Sequence, residues 1–440
     1  MSAELCPDLL ELRPDLLVVG AGPAGLSAAL AAAQGGVSVL LADLNPGGPG
    51  GQIWRGARPD GVGESGRLLR EVRTHPGITP LYGAHLVLAE GSGHGRVLQF
   101  STPGGAVRVR PGRVIVATGA TERFLPFPGW TLPGVVGAGG LQAMVKGGLE
   151  VRGARVVVAG SGPLLLAAAA GLRAEGARVL AVAEQAGLGG LAGFALAAAH
   201  SGGKVGEAAR LAWALRGVPY HLGTSPLRAT GSGRLERVTL RGPFGERTLA
   251  CDWLAVGFGL VPDTRAAALL GCELGPGGAV RVGPWQDTSV PGVYAAGELT
   301  GVGGADKARL EGFVAGCAAS GQAERLRDAP AELHQARAFQ VALERGFALR
   351  PGLRALPSPD TIVCRCEDVT HAQLRSCASW TEAKLQTRCG MGPCQGVVCG
   401  PATETLYGWH SPGIRPPLSP IPLSELLPEL LSEPTQRSMP

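Results

Sequence analysis

Two stretches of the chain repeat one pattern: an apolar run, a glycine turn, a small-residue helix, a second apolar run and an acid. The first, DLLVVGAGPAGLSAALAAAQGGVSVLLAD, spans Asp15 to Asp43; the second, ARVVVAGSGPLLLAAAAGLRAEGARVLAVAE, spans Ala154 to Glu184. Continuous apolar runs such as LLVV and VVVA fit strands buried on both faces of a parallel sheet, which requires helices on each side. The chain is therefore constrained to an α/β architecture with two Rossmann-like dinucleotide-binding folds.

In the first fold Gly20, Gly22 and Gly25 form G-x-G-x-x-G, with Pro23 and Ala24 between them. The glycines allow a tight turn, close approach of backbone to a pyrophosphate, and close helix–strand packing; the helix N-terminus adds free N–H groups. Asp43 ends the second strand, where a carboxylate accepts hydrogen bonds from an adenosine ribose. The second fold keeps Gly160 and Gly162 but has Leu165 at the third glycine position, and its acid is Glu184. An acid there suits a ribose diol, so a dinucleotide in this fold would be NAD(H) rather than NADP(H). The alternative is a retained fold with a degenerate site, or one that holds an adenine nucleotide structurally.

Hydrophobic residues make up 45% and charged residues 17% of the 440, which excludes disorder. The net charge of +5 is scattered without a Lys/Arg run, so neither a nucleic-acid partner nor an anionic membrane surface is expected. MSAELCPDLLELRPD lacks an apolar h-region, and the apolar stretch Val156 to Leu172 is short and broken by GSGP. Neither an export signal nor a transmembrane segment is expected, and the predicted location is cytoplasmic, with membrane association only through partners. In a reducing compartment cysteines read as ligands or redox groups rather than disulfides.

That matters at the C-terminal end. VCRCEDVT carries Cys364 and Cys366, and RCGMGPCQGVVCG carries Cys389, Cys394 and Cys399. Cys377, in the helical-looking THAQLRSCASW, reads as structural, and Cys6, Cys251, Cys272 and Cys317 are isolated. No C-x-x-C or C-x4-C occurs before residue 364, which argues against a flavin-side dithiol, and no histidine or carboxylate stands out for acid–base work on a substrate. Structural zinc sites usually present knuckles with two to four residues between cysteines, a spacing that C-x-C does not meet. A 2Fe–2S cluster takes four thiolates shared between two irons, and a glycine-rich loop lets backbone N–H groups reach its sulfurs. Zinc and metal-free thiols are the alternatives.

Several segments resemble known families. PGGPGGQIWRG, with Gly51 and Gln52, the A-T-G of Ala117, Thr118 and Gly119, and VPGVYAAGELTG, with Gly297 and Glu298, resemble two-dinucleotide-binding-domain flavoproteins. The resemblance implies FAD on the first fold, with Glu298 in place of the usual Asp that reaches the pyrophosphate and ribityl region. The cysteine segment resembles bacterioferritin-associated-ferredoxin domains. Matching GMG, Gly390 to Gly392, to that family's glycine segment implies a 2Fe–2S ligand set of Cys364, Cys366, Cys394 and Cys399, with Cys389 the alternative partner of Cys394.

The whole motif series, from ADLNPGGPGGQIWRG through VGFGLVPDT to RCGMGPCQGVVCGP, resembles the FAD subunits of heteromeric amine and amino-acid dehydrogenases. These include the A-type subunits of opine (octopine and nopaline) oxidases, the B-type component of hydrogen cyanide synthase, and the alpha subunits of D-hydroxyproline and dye-linked L-proline dehydrogenases. The resemblance implies an electron-transfer role beside a D-amino-acid-oxidase-like flavoprotein subunit and a small ferredoxin-like subunit. A stand-alone NAD(H)-dependent reductase of a ferredoxin-like carrier and a non-enzymatic scaffold are the competing readings.

The expected organisation is a discontinuous FAD domain at 14–150 and 250–325, with the NAD-binding-like domain at 151–249 inserted. A helical segment and mobile linker at 326–360 would follow, then the small α-rich iron–sulfur domain at 361–410 and a Pro/Leu-rich tail at 411–440. In the tail, ELLPELL is expected as a short apolar helix or a frayed end.

Overall fold

The computed structural model describes residues 10–61, 63–199, 204–327, 329–411 and 413–426. Cys6 and most of ELLPELL lie outside the described residues.

The repeated pattern folds as two five-stranded parallel sheets of matching topology. In the first, the strand order is Val293–Ala295, Arg113–Val116, Leu16–Val19, Val39–Asp43 and Ile78–Tyr82. In the second it is Val135–Gly137, Trp253–Phe258, Arg155–Ser161, Arg178–Glu184 and Tyr220–Leu222. The LLVV strand is buried along its whole length, as a central strand with helices on both faces must be. Val156 to Leu172, too short and broken to span a membrane, is a strand to Ser161 and a helix Leu164–Ala174. No helix among the described residues is long and apolar enough to cross a membrane.

Helix Pro23–Gln34 crosses helix Ala305–Ala319 through small residues. A Cβ on Gly312 would lie 2.0 Å from the Ala24 carbonyl oxygen, and one on Gly316 2.4 Å from that of Ala28. Only glycine lets the two backbones approach this closely, and the contact brings the N-termini of both helices to the same end of the first sheet.

The domain boundaries differ from those expected. Val135–Gly137, placed before the 150/151 break, and Trp253–Phe258, placed after the 249/250 break, both belong to the second sheet. The crossing is made instead by a short antiparallel pair, Ala120–Glu122 with Leu260–Pro262. An apolar run identifies a buried strand but not which sheet will pair with it, and that ambiguity moved both boundaries.

The linker expected within 326–360 is also ordered. Helix Ala329–Gly346 runs into it, a 3-10 turn follows at Pro351–Ala355, and Leu353 and Leu356 are buried in the core of the second fold. Beyond it, a hairpin of Ile362–Cys364 with Val369–Thr370 and helices His371–Arg375, Trp380–Thr387 and Cys399–Tyr407 form a small module with its own core. Thr370 and Gln373 make a reciprocal capping box, and Ser379 caps the Trp380 helix by accepting from the Glu382 N–H. Trp130 Nε1 donates to the Ile362 carbonyl at 2.6 Å, fastening the module to the second fold.

Candidate flavin and thiol sites

Three segments meet at the end of the first sheet. Gly20 has φ +105°, and a Cβ on it would stand 2.3 Å from the Ala117 carbonyl oxygen. A Cβ on Gly25 would lie 1.7 Å from the Gly20 carbonyl, the close helix–strand packing the motif requires. Pro23 opens the helix at its first turn, and Ala24 packs against Gly297, whose own Cβ would fall 2.8 Å from that of Ala24. The Asp43 carboxylate accepts from the backbone N–H groups of Ala21 and Asn45. The loop after Asp43 folds back so that a Cβ on Gly51 would lie 3.1 Å from the Gly22 Cα, while Gln52 is exposed. The first-fold residues therefore converge, apart from the Gln52 side chain.

Glu298 lies at this same end of the sheet. One carboxylate oxygen accepts from the Gly304 N–H at 2.7 Å; the other is buried without a partner. Burial pushes the carboxyl up from its ordinary range, opposed by that N–H and by the Lys307 charge. A buried acceptor left open costs free energy unless something bonds to it, and a hydroxyl-bearing chain such as the FAD ribityl suits it.

Beneath this turn lies a network that the sequence reading missed. Lys307 and Glu311, 2% and 1% exposed, pair at 3.0 Å. Lys307 Nζ also donates to the Thr300 hydroxyl and the Gly301 carbonyl, and Glu311 accepts from the Gly297 N–H and the Thr300 hydroxyl. The signal was present in DKARLEG, where Lys and Glu stand at i and i+4, but such pairs are usually solvated.

From Thr118 and Gly119 the chain leads toward the thiols. The Thr118 hydroxyl donates to the Asp263 carbonyl at 2.6 Å, and the Asp263 N–H to the Gly119 carbonyl at 2.9 Å. Asp263 then holds Arg265 through two hydrogen bonds of 2.8 and 2.7 Å. This bond holds the guanidinium above its usual range, with a smaller influence from Cys394. Neither Asp263 nor Arg265 was singled out from sequence.

The sulfurs of Cys364, Cys389 and Cys399 are buried, all within 4.8 Å of one another. Cys364 accepts from the thiols of Cys389 and Cys399 and from the N–H groups of Gly390 and Glu367, so its thiol falls to about 2, while the bond to Cys364 raises Cys389 to about 12. Beside this triad the Cys366 sulfur meets the backbone N–H and side chain of Cys394. A cavity of about 190 Å³ is lined by Cys364, Cys366, Cys394 and Cys399 together with Phe124, Trp130 and Val135 to Gly137. Cys364, Cys366, Cys394 and Cys399 line this one space; Cys389 is not among its lining residues but shares the close sulfur triad with Cys364 and Cys399, which leaves out Cys366 and Cys394. The glycines permit this: Cβ atoms on Gly390 and Gly392 would fall 2.6 Å from the Trp380 ring and 2.3 Å from the Cys366 Cβ.

An all-sulfur donor set with backbone N–H groups aimed at two of its sulfurs fits a thiophilic metal centre. The described cysteines are all free; Cys251, Cys272, Cys317 and Cys377 are buried among apolar residues. Burial raises Cys251 to about 12, which suits an inert thiol.

In the second fold Gly160 and Gly162 form the expected turn, and Glu184 is fully buried, accepting from the N–H groups of Gly162 and Ala186 at 2.8 Å each. Burial pushes its carboxyl up, opposed by these bonds.

A family model described as pyridine nucleotide-disulphide oxidoreductase matches residues 14–312, and the chain belongs to that family of flavin oxidoreductases. Within it, the chain is 33% identical over 459 residues to the HcnB subunit of hydrogen cyanide synthase from Pseudomonas aeruginosa, covering 94% of this chain and 98% of that one. It is 34% identical over 464 residues to the A-type subunit of opine oxidase from Rhizobium meliloti, with coverages of 94% and 98%. The expected kinship with the FAD subunits of amine and amino-acid dehydrogenases is thereby met. Among solved structures, L-proline dehydrogenase from P. horikoshii shares the fold with a TM-score of 0.68 over 96% of this chain and 81% of that one, at 20% identity. T. acidophilum thioredoxin reductase matches with a TM-score of 0.54 and 22% identity, but over 71% of this chain.

Proposed function

We propose that this chain is the FAD and 2Fe–2S electron-transfer subunit of a heteromeric dehydrogenase acting on amino or imino acids of the opine, proline, hydroxyproline or glycine type. Its partner would be a D-amino-acid-oxidase-like flavoprotein subunit, joined by a small ferredoxin-like subunit. FAD would supply acceptance of an electron pair and its release one electron at a time, and the cluster would supply one-electron uptake.

This chain's residues serve that chemistry by position. Gly20, Gly22 and Gly25 clear room for pyrophosphate, the open oxygen of Glu298 accepts from a hydroxyl, and Lys307 with Glu311 fixes the turn that carries Glu298. Cys364, Cys366, Cys394 and Cys399 would hold the irons, with the N–H groups of Gly390, Glu367 and Cys394 stabilising thiolate charge.

The observation that carries the reading is the thiol-lined cavity against Phe124. That residue lies two positions beyond the strand Ala120–Glu122, itself continuous with the Ala117–Gly119 segment at the flavin end. Relatives covered over nearly their whole length, and named as subunits, support the heteromeric part.

The test is anaerobic purification with iron and acid-labile sulfide analysis, followed by amino-acid oxidation assays with and without the partner flavoprotein. Equal iron and labile sulfide, and oxidation only with the partner, are expected. Zinc in place of iron, or full turnover by the isolated chain, would overturn it.

A further inference from the structure

The second dinucleotide fold is closed by this chain's own backbone. Dinucleotides bind in the crevice outside the carboxyl ends of parallel strands, over the first glycine turn. Here residues 347–350 lie across that edge and touch the ends of three adjacent strands. The Ser161 hydroxyl, in the glycine turn, donates to the Phe347 carbonyl at 3.0 Å. Gln185, one residue beyond Glu184, donates from Nε2 to the Ala348 carbonyl at 3.1 Å and accepts at Oε1 from the Arg350 N–H at 3.1 Å. Arg350 Nη2 donates to the Gly223 carbonyl at 2.9 Å, just past the third strand. Phe347 packs edge-on against Phe194, with ring centroids 5.1 Å apart.

The first fold provides an internal comparison. Its residue after the acid, Leu44, is 56% exposed, and Asp43 is partly open; Gln185 and Glu184 are both 0% exposed. One crevice stands open at the ribose end and the other is covered, although their sheets match strand for strand. A ribose diol therefore has no route to Glu184 unless the covering segment leaves.

We propose that Phe347–Arg350, clamped by Gln185, is the donor-specificity element of this chain, barring NAD(H), NADP(H) and adenine nucleotides from the second fold so that electrons enter from a protein partner. The donor's identity rests on the function proposed above; the barrier itself does not. It also gives the second fold a use, because the clamped segment leads directly into the thiol module and sets where that module sits.

The test uses the full-length, flavin-loaded chain and hydrogen–deuterium exchange of peptides covering 346–352. In the wild type these peptides should be protected, and millimolar NADH, NADPH or ADP should neither change their exchange nor, for the reduced cofactors, bleach the flavin. Gln185→Ala should raise exchange at 347–350 by roughly tenfold, as removal of hydrogen bonds of ordinary strength implies, with the first fold unchanged. Saturable nucleotide binding with faster exchange at 347–350, flavin reduction by NADH, or unchanged exchange in Gln185→Ala would each overturn the proposal. Failure of the function reading would appear separately, as absent iron and labile sulfide in the same preparation.

Discussion

Replacing Lys307 by Met tests whether the buried pair beneath the Gly297–Glu298 turn holds that turn in place. Lys307 Nζ has four acceptors around it, including Glu311 at 3.0 Å and the Gly297 carbonyl at 3.3 Å. Without the ammonium, Glu311 keeps two donors, the Gly297 N–H and the Thr300 hydroxyl, but becomes an uncompensated buried charge. Removing one partner of a buried ion pair costs about 3–5 kcal/mol, whereas replacing both by apolar groups is often neutral. At about 2–4 °C per kcal/mol for a domain of this size, the first fold of Lys307→Met should melt roughly 6–20 °C lower. Lys307→Met/Glu311→Leu should recover much of that loss. Calorimetry with and without added FAD, combined with FAD titration of the apoprotein, measures both arms, and FAD affinity should fall with the single variant. If the single substitution costs under about 1 kcal/mol, or the double variant is as damaged as the sum of the two singles, the network does not hold the turn and the reasoning fails.

Four further outcomes follow from the geometry. Gly25→Ala places a methyl against the Gly20 carbonyl, so a loss of about 1–3 kcal/mol in stability and weakened FAD retention are expected, measured by flavin release on gel filtration. Cys364→Ser should abolish bound iron while Cys389→Ala retains most of it, since only the former faces the cavity; equal loss in metal analysis would contradict the four-ligand set. Trp130→Phe removes the bond to the Ile362 carbonyl and should loosen the thiol module by about 1–3 kcal/mol, seen as faster proteolysis within 361–410. Glu122 is raised above its ordinary 4.5 by burial, opposed by the N–H groups of Gly139 and Gly140. Its protonated form is thus favoured by folding, and the stability of the wild type relative to Glu122→Gln should decline as pH rises from 4.5 through the raised folded value, then level off; denaturant melts across that range check the sign.

The primary sequence by itself determined the two parallel-sheet folds, the flavin-side glycines and the gathering of thiols near the C-terminus. Each is a local statement: LLVV must be buried, a glycine must stand where a Cβ would strike the Gly20 carbonyl, and six cysteines fall within the 36 residues from 364 to 399. What lay beyond it required contacts between distant residues. Trp253–Phe258 joined the second sheet because Arg155–Ser161 was there to pair with it, and Lys307 with Glu311 became a buried pair only because the helix that carries them, Ala305–Ala319, packs closely on Pro23–Gln34. Likewise, nothing in LERGFALRPGLRALPSPDT announces a fixed segment; the hydroxyl of Ser161 and the amide of Gln185, far away in the chain, hold it across the second crevice. Patterning along a chain specifies which groups must leave water, but which partner each then meets is decided by packing in three dimensions.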